Sequence, residues 1–313
     1  MKKYVLKSAL FVVVAMFLFS CTKEKNNENT GENEIICDVE GGLKGLFSVS
    51  DSTRVFFSKG NLQWSAEGVH AVADGGTAAG TWRFAEKQGD YVGNKNDYIS
   101  SSYTGWIDLF GWGTSGWDNG NLFYQPYNSS DSMVAPYTRD VNYGYGPFAN
   151  SFVGQSANSD WGVYNAISNG GNMPGLWRTL SSSEWDYLLN TRITASGMRY
   201  VVATVNGVQG LIILPDNWSV SKYTFDNPNS HIISENDWMV LENAGCAFLP
   251  NSGMRAGTRT LDYEGNRSIG RYWTSTNHMD GGAVNILILG SVDAGDYVRC
   301  CYGSSVRLVH DFQ

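Results

Sequence analysis

The alternation of apolar and polar positions predicts a chain of short elements. "LFSVSDSTRVFFSKGNLQW" over 46–64 is β-branched and aromatic and breaks at Asp51-Ser52, which predicts two strands around a turn. "TWRFAEK" over 81–87 predicts another short strand. Between 90 and 176 the periodicity fades into Gly, Asn, Ser and aromatic residues. Trp106, Phe110, Trp112, Trp117 and Trp161 supply too much apolar surface for disorder, so ordered loops packed by indoles are expected. "SSSEWDYLLNTR" predicts a helix: Ser181 and Glu184 have capping-box spacing, and Trp185, Leu188 and Leu189 share a face. "RYVVATVNGVQGLIIL" over 199–214 predicts a hairpin turning at Asn206-Gly207. "ENDWMVLENAG" over 235–245 predicts a second short helix closed by Gly245. Short strands follow in "CAFLPNSGMR", "RYWTST", "AVNILILG" and "SVRLV".

One of these strands breaks its own pattern. Val284, Ile286, Ile288 and Val292 occupy one phase and predict a core face. Asn285, Leu287, Leu289 and Ser291 occupy the other. Two leucines on a face shared with asparagine and serine need an explanation.

The N-terminus departs from globular patterning altogether. A basic "MKKYVLK", an apolar "SALFVVVAMFLF" and then "LFSC" have the order and length of a secretory signal over residues 1–20. Leu18-Phe19-Ser20-Cys21 resembles a bacterial lipobox, which implies cleavage before Cys21 and its lipidation. The acyl chains would anchor the protein to a membrane that it does not span. "TKEKNNENTGENE" over 22–34 has no apolar residue and is expected to be part of a flexible tether reaching to residue 41. Its acids resemble an export signal toward the outer leaflet of the outer membrane, interrupted by Lys23 and Lys25. The rest, 42–313, carries no linker or exact repeat and is expected to be one domain.

Charge narrows the partners. The chain carries −8, and loss of residues 1–20 removes three lysines and no acid, leaving −11. Such a chain without a basic cluster disfavours nucleic acid as a partner. The composition, with 36 Gly and 11 Trp against 17% charged residues, suits a loop-rich fold packed by aromatics.

The blocks "GLWRTLSSSEWDYLLNTR", "GLIILPDNW", "CAFLPNSGMR", "YWTSTN" and "YGSSVRLV" occur in an order that resembles the lipoproteins of the fibrobacter-type major paralogous domain family. More distantly it is similar to the formylglycine-generating-enzyme branch of the C-type-lectin-like fold. The resemblance covers nearly all of 42–313. It implies an α+β fold: a small twisted antiparallel sheet, two helices and long ordered loops. It also implies framework roles for Trp177, Arg178, Trp185 and Arg307, the guanidiniums satisfying loop carbonyls.

Catalysis is not expected. Formylglycine-generating enzymes use two copper-binding cysteines a few residues apart; here Cys300 and Cys301 are adjacent and point to opposite sides of a strand. No G-x-S-x-G occurs, and nothing in the spacing brings Asp118 to Asp160. His70, His231, His278 and His310 are scattered, so a zinc site is not expected. Calcium has oxygen ligands on offer in 90–97 and 215–218, but neither stretch fits an EF-hand, and the lectin sugar motifs E-P-N and W-N-D are absent. Cys246 has a candidate disulfide partner in either Cys300 or Cys301, in keeping with an oxidising compartment.

In relatives, the face carrying Asn285, Leu287, Leu289 and Ser291 is polar and solvent-facing, and in ligand-binding members it forms the recognition surface with its neighbouring loops. By that resemblance, Leu287 and Leu289 form an exposed patch beside Tyr297 and Tyr302. The alternative is a long loop from 90–150 covering them. The expected surface comprises Thr276, Asn277, His278, Asn285, Leu287, Leu289, Asp296, Tyr297, Arg299 and Tyr302. The expected activity is binding of a protein or glycan at the cell surface. A structural or pilus-tip subunit assembling through the same face is the other reading; the C-terminal "SVRLV" looks integral, not exchangeable.

Overall fold

The computed structural model describes residues 22–26, 33–37, 39–99, 102–117, 151–225, 231–256, 259–264, 267–278, 282–300 and 302–313. The signal segment, Cys21, Asp118, Cys301 and most of the loop expected over 90–150 lie outside them. The fold is mixed α+β, built mainly of small antiparallel sheets with few helices.

The first four-stranded sheet joins distant parts of the chain in the order Gly42–Ser48, Arg54–Ser58, Leu308–Asp311, Arg178–Thr179, all antiparallel. The 46–64 stretch therefore divides. Its turn at 50–53 closes through Val49 N–H to the Thr53 carbonyl at 2.9 Å, but Leu62 already belongs to another sheet. Gly60 marks the crossing, where a Cβ would stand 2.4 Å from the Ala85 carbonyl oxygen. Leu62–Ala71 then pairs with Thr77–Phe84 in a long hairpin whose register shifts between Ser65 and Val69. The short strand expected at 81–87 is instead the last part of Thr77–Phe84, whose first residues, Thr77-Ala78-Ala79-Gly80, are too small to show an alternation.

A second sheet has the order His231–Ile233, Tyr200–Val205, Val208–Ile213, Ala247–Pro250. The hairpin at its centre turns at Asn206 (φ 50°) and Gly207 (φ 84°), the left-handed pair that a two-residue loop requires. The Glu235–Asn243 helix starts at the Ser234 cap and ends at Gly245 (φ 91°), whose N–H reaches the Glu242 carbonyl. The other helix, Ser182–Asp186, has the reciprocal Ser181/Glu184 capping box and widens into a π-turn over Tyr187–Thr191. Trp185, Leu188 and Leu189 are buried as their spacing requires.

Two short strands lie within the segment expected to be a tether. Thr22–Asn26 and Asn33–Cys37 pair antiparallel, Thr22 opposite Cys37. A paired backbone ladder satisfies its own N–H and C=O groups without an apolar core, which a hydrophobicity argument cannot see, although a two-stranded hairpin alone is only marginally stable in water.

Among the described residues, three core clusters hold the sheets together. One packs Trp82, Trp112, Trp161, Trp177 and Trp273 with Phe84 and Phe110. The second joins Phe47, Phe57 and Trp185 to Tyr272, Ile286 and Ile288. The third fills the space between the second sheet and its helix with Trp218, Trp238, Cys246 and Phe248. Of the loop aromatics, Phe110, Trp112 and Trp161 are fully buried, whereas Trp106 and Trp117 are half-buried, with Arg83 lying 3.7 Å over the Trp106 ring.

Candidate functional site

The third sheet, Gly270–His278, Gly282–Ile288 and Val292–Arg299, carries most of the expected recognition residues. Its register pairs Tyr272 with Ile286 and Ile288 with Val292 on one face, and Trp273, Asn285 and Asp296 on the other. Residues paired across strands share a face and neighbours along a strand do not. Tyr272, Ile286 and Ile288 enter the second core cluster, with Val292 and Ala294 packed against it. Trp273 and Ala283, from the opposite face, enter the first, with Val298 against it. Among the described residues, each face packs against a core cluster at one end, and the two covered ends are opposite. Bulges between Trp273 and Asn277 and between Asn285 and Leu287 accompany the change.

The described residues do not form the single solvent-facing surface that the resemblance implied. Asn285 is 0% exposed, and its Oδ1 accepts from the Arg271 guanidinium at 3.1 Å while Arg271 also pairs with Asp296. The Asn285 Nδ2 and Arg271 Nε donors have no hydrogen-bond acceptor, a cost of roughly 1–3 kcal/mol each when buried. Leu287 lies in register with Arg271 and Asp293 and is half-buried. Leu289, also half-buried, sits in the turn, its N–H bonded to the Ser291 carbonyl. Neither leucine is sealed, and neither shares a face with Tyr297. Val284 and Val292, expected in the core, are half-buried.

What the structure does bring together is the far end of the opposite face. Val284 pairs with Tyr297, and Gly282 stands between His278 and Arg299. The His278 and Tyr297 rings stack with centroids 3.9 Å apart and planes 7° from parallel. Tyr297 is 51% exposed and Arg299 is exposed as well. Thr276 borders this end and is tied down, its Oγ1 accepting from Ser182 N–H at 3.0 Å at the start of the helix. Asn277 is turned the other way, its Oδ1 accepting from the Ser151 hydroxyl at 2.8 Å. Tyr302 is half-buried, with its N–H on the Arg299 carbonyl.

Neither the protein-family models, nor the curated proteins, nor the solved structures compared with the chain give a match.

The remaining chemical candidates resolve into structural parts. Cys246 carries a free thiol in the third cluster, pushed up in pKa by burial, while Cys300 packs in the first. Of its two candidate partners, Cys300 belongs to a different core from Cys246, and Cys301 lies outside the described residues. Three of the carboxylates in the calcium-candidate stretches have protein partners: Asp216 holds Arg192 at 2.8 Å and Ser48 at 2.7 Å, Asp90 accepts from Lys87 N–H, and Asp97 accepts from the Thr260 hydroxyl at 2.8 Å. Among the described residues, no three of His, Cys, Asp and Glu come together as a metal site. Trp177 and Trp185 are buried as expected, but the guanidiniums differ from expectation. Arg178 pairs with both Glu184 and Asp311 at 2.7 Å, and Arg307 donates to the Gln88 side chain at 3.0 Å and to Asn61 at 3.4 Å. Burial pushes Arg307 down to about 10, leaving it charged at neutral pH. Carbonyls are instead satisfied by Arg192, which donates to those of Leu188, Arg199 and Leu214, and by Arg199, which donates to that of Arg192 at 2.6 Å. The role of Arg192 had no signature in the sequence, since its three carbonyls come together only when the second sheet packs against the helix.

Proposed function

We propose that this protein is a lipid-anchored recognition protein of the bacterial outer membrane, exposed at the cell surface, that binds a protein or glycan ligand. In this reading the fold is C-type-lectin-like and the chain is not an enzyme. The ligand docks on the open end of the third sheet: the stacked His278–Tyr297 rings, flanked by Thr276, Val284 and Arg299. The observation that carries the reading is the half-exposed Tyr297 ring held parallel to His278 on a strand at 3.9 Å. A rigid aromatic presented on a sheet gives contact area at little entropic cost, as binding hot spots require. Arg299 adds a cation beside it in a chain of net negative charge.

A pilus-like assembly by strand exchange fits less well. The Leu308–Asp311 strand is hydrogen-bonded on both edges, to Arg54–Ser58 and to Arg178–Thr179, so donating it would dismantle the first sheet. The test is a glycan and protein array probed with the wild-type chain, then with Tyr297→Ala and Leu287→Asp. Tyr297→Ala is expected to abolish the array signal with an unchanged melting temperature, and Leu287→Asp to keep it. Loss of signal with Leu287→Asp alone would move the site to the other face.

A further inference from the structure

The pairing at the start of the chain fixes where a lipid on Cys21 would sit. Thr22–Asn26 runs antiparallel to Asn33–Cys37, with Thr22 opposite Cys37. Paired strands lie about 5 Å apart and Cys21 is the next residue, so an acyl group there is held within about 10 Å of the Cys37 backbone. Cys37 in turn abuts the domain. A Cβ on Gly42 would stand 2.5 Å from the Cys37 Sγ, and Asn33–Cys37 contacts Gly42–Ser48. A fully extended 21–41 segment would let the domain ride up to about 70 Å from the lipid. The hairpin doubles back and removes most of that reach.

The surface beside this point carries little charge. Val39 and Leu176 pack against the first core cluster. A Cβ on Gly171 would stand 2.8 Å from Leu176 Cδ1 and 3.4 Å from Val39 Cγ1, so the turn at 39–41 and the loop at 168–176 form one surface. The loop, "SNGGNMPGL", has no charged residue. Its shape is set by left-handed backbone at Gly171, Asn172 and Gly175, and Gly175 N–H donates to the Gly162 carbonyl at 2.9 Å. Met173 within it is 49% exposed. Glu40 is an exposed acid in the neighbouring turn.

Resting on the lipid-anchored reading above, we infer that the domain is seated directly on the membrane surface, with the 168–176 loop against the lipid headgroups and Met173 entering the interface. Anionic headgroups repel a chain of net charge −8, so an uncharged loop with an exposed thioether approaches them at least cost. One methionine would not hold a soluble protein on a bilayer. The anchor supplies the effective concentration that makes so small a contact sufficient.

The test is neutron reflectometry of the lipidated mature chain, its lipid verified by mass spectrometry, on a phosphatidylcholine bilayer. Hydrogen–deuterium exchange on vesicles of the same lipid accompanies it. Protein density is expected to begin at the headgroups, and 168–176 to exchange more slowly than in the Cys21→Ser chain mixed with the same vesicles. Replacing both Ile35 and Ile36 by proline removes a ladder N–H, because neighbouring N–H groups alternate in direction. That variant is expected to move the density outward by about 25 Å, the span of a flexible 20-residue coil, with the melting temperature held. Met173→Asp is expected to lose the protection while the protein stays in the membrane pellet. A water layer of that thickness beneath the wild-type chain, a proline variant that sits as close as wild type, or protection at another surface with 168–176 left open would each overturn the seating and leave lipidation standing. A chain recovered without lipid would remove the anchor itself, and the seating with it.

Discussion

At the scale of single residues, two buried acids make stability depend on pH. Asp108 is fully buried, taking Val92 N–H at 2.6 Å and the Asn96 amide at 2.7 Å, and burial nevertheless pushes it up to about 6. Asp160 caps the Trp161–Tyr164 helix through Gly162 N–H, also binds Thr179 N–H at 2.7 Å, and is likewise raised by burial to about 6. In the unfolded chain such acids titrate near ~3.9. A raised folded value means that the fold favours the protonated form. Their contribution is fully present below about pH 4 and is lost as pH rises through about 6. Melting temperature should fall between pH 4 and 7, and Asp108→Asn should flatten that slope by up to roughly 2–3 kcal/mol while lowering stability at pH 4. An unchanged slope would show that Asp108 ionises without penalty. The burial of Asp108 was not readable from "GWIDLFGW", because its partners Val92 and Asn96 come from a turn that packs against it only in the fold.

At the scale of elements, local signals were strong where the chemistry is local. The Ser181/Glu184 box, the Asn206-Gly207 turn and the Gly245 stop each depend on residues within four positions, and each formed. The box has an added load, since Glu184 also binds Arg178, which in turn grips Asp311 of the C-terminal strand. Ser181→Ala is expected to cost about 1 kcal/mol or somewhat more, read as a shift in the urea midpoint at constant slope. A cost near zero would mean that Glu184 holds the helix start without the hydroxyl. Elements whose identity rests on a distant or weakly patterned partner were missed or shortened: the Leu62–Ala71/Thr77–Phe84 hairpin and the pairing of Thr22–Asn26 with Asn33–Cys37.

At the scale of the whole molecule, the first sheet closes the chain on itself by setting Leu308–Asp311 between Arg54–Ser58 and Arg178–Thr179. No helix among the described residues is long and apolar enough to cross a membrane. Membrane attachment in our proposal therefore rests on the lipobox-like "LFSC". Cys21→Ser is expected to move the protein from the membrane pellet to the soluble fraction of cells, followed by immunoblot. Unchanged partition would refute lipidation as the anchor. The chain's negative charge makes salt-sensitive adsorption to anionic lipid a poor substitute.

Caps, tight turns and the apolar content of the loops followed from residue order, because their energetics are decided within a turn or by bulk hydrophobicity. The mixed α+β character was implied by the family resemblance of the motif blocks, and the observed elements agree with it. The destination of each strand face did not follow. A strand read alone shows a period of two and implies one inside and one outside. The Gly282–Ile288 strand lies between two cores that approach from opposite sides at opposite ends, so Asn285 and Ile286 are both fully buried while Tyr297 and Leu287 look different ways. Where those cores meet the sheet depends on contacts among residues far apart in the chain, and only their packing decides which side chains water reaches.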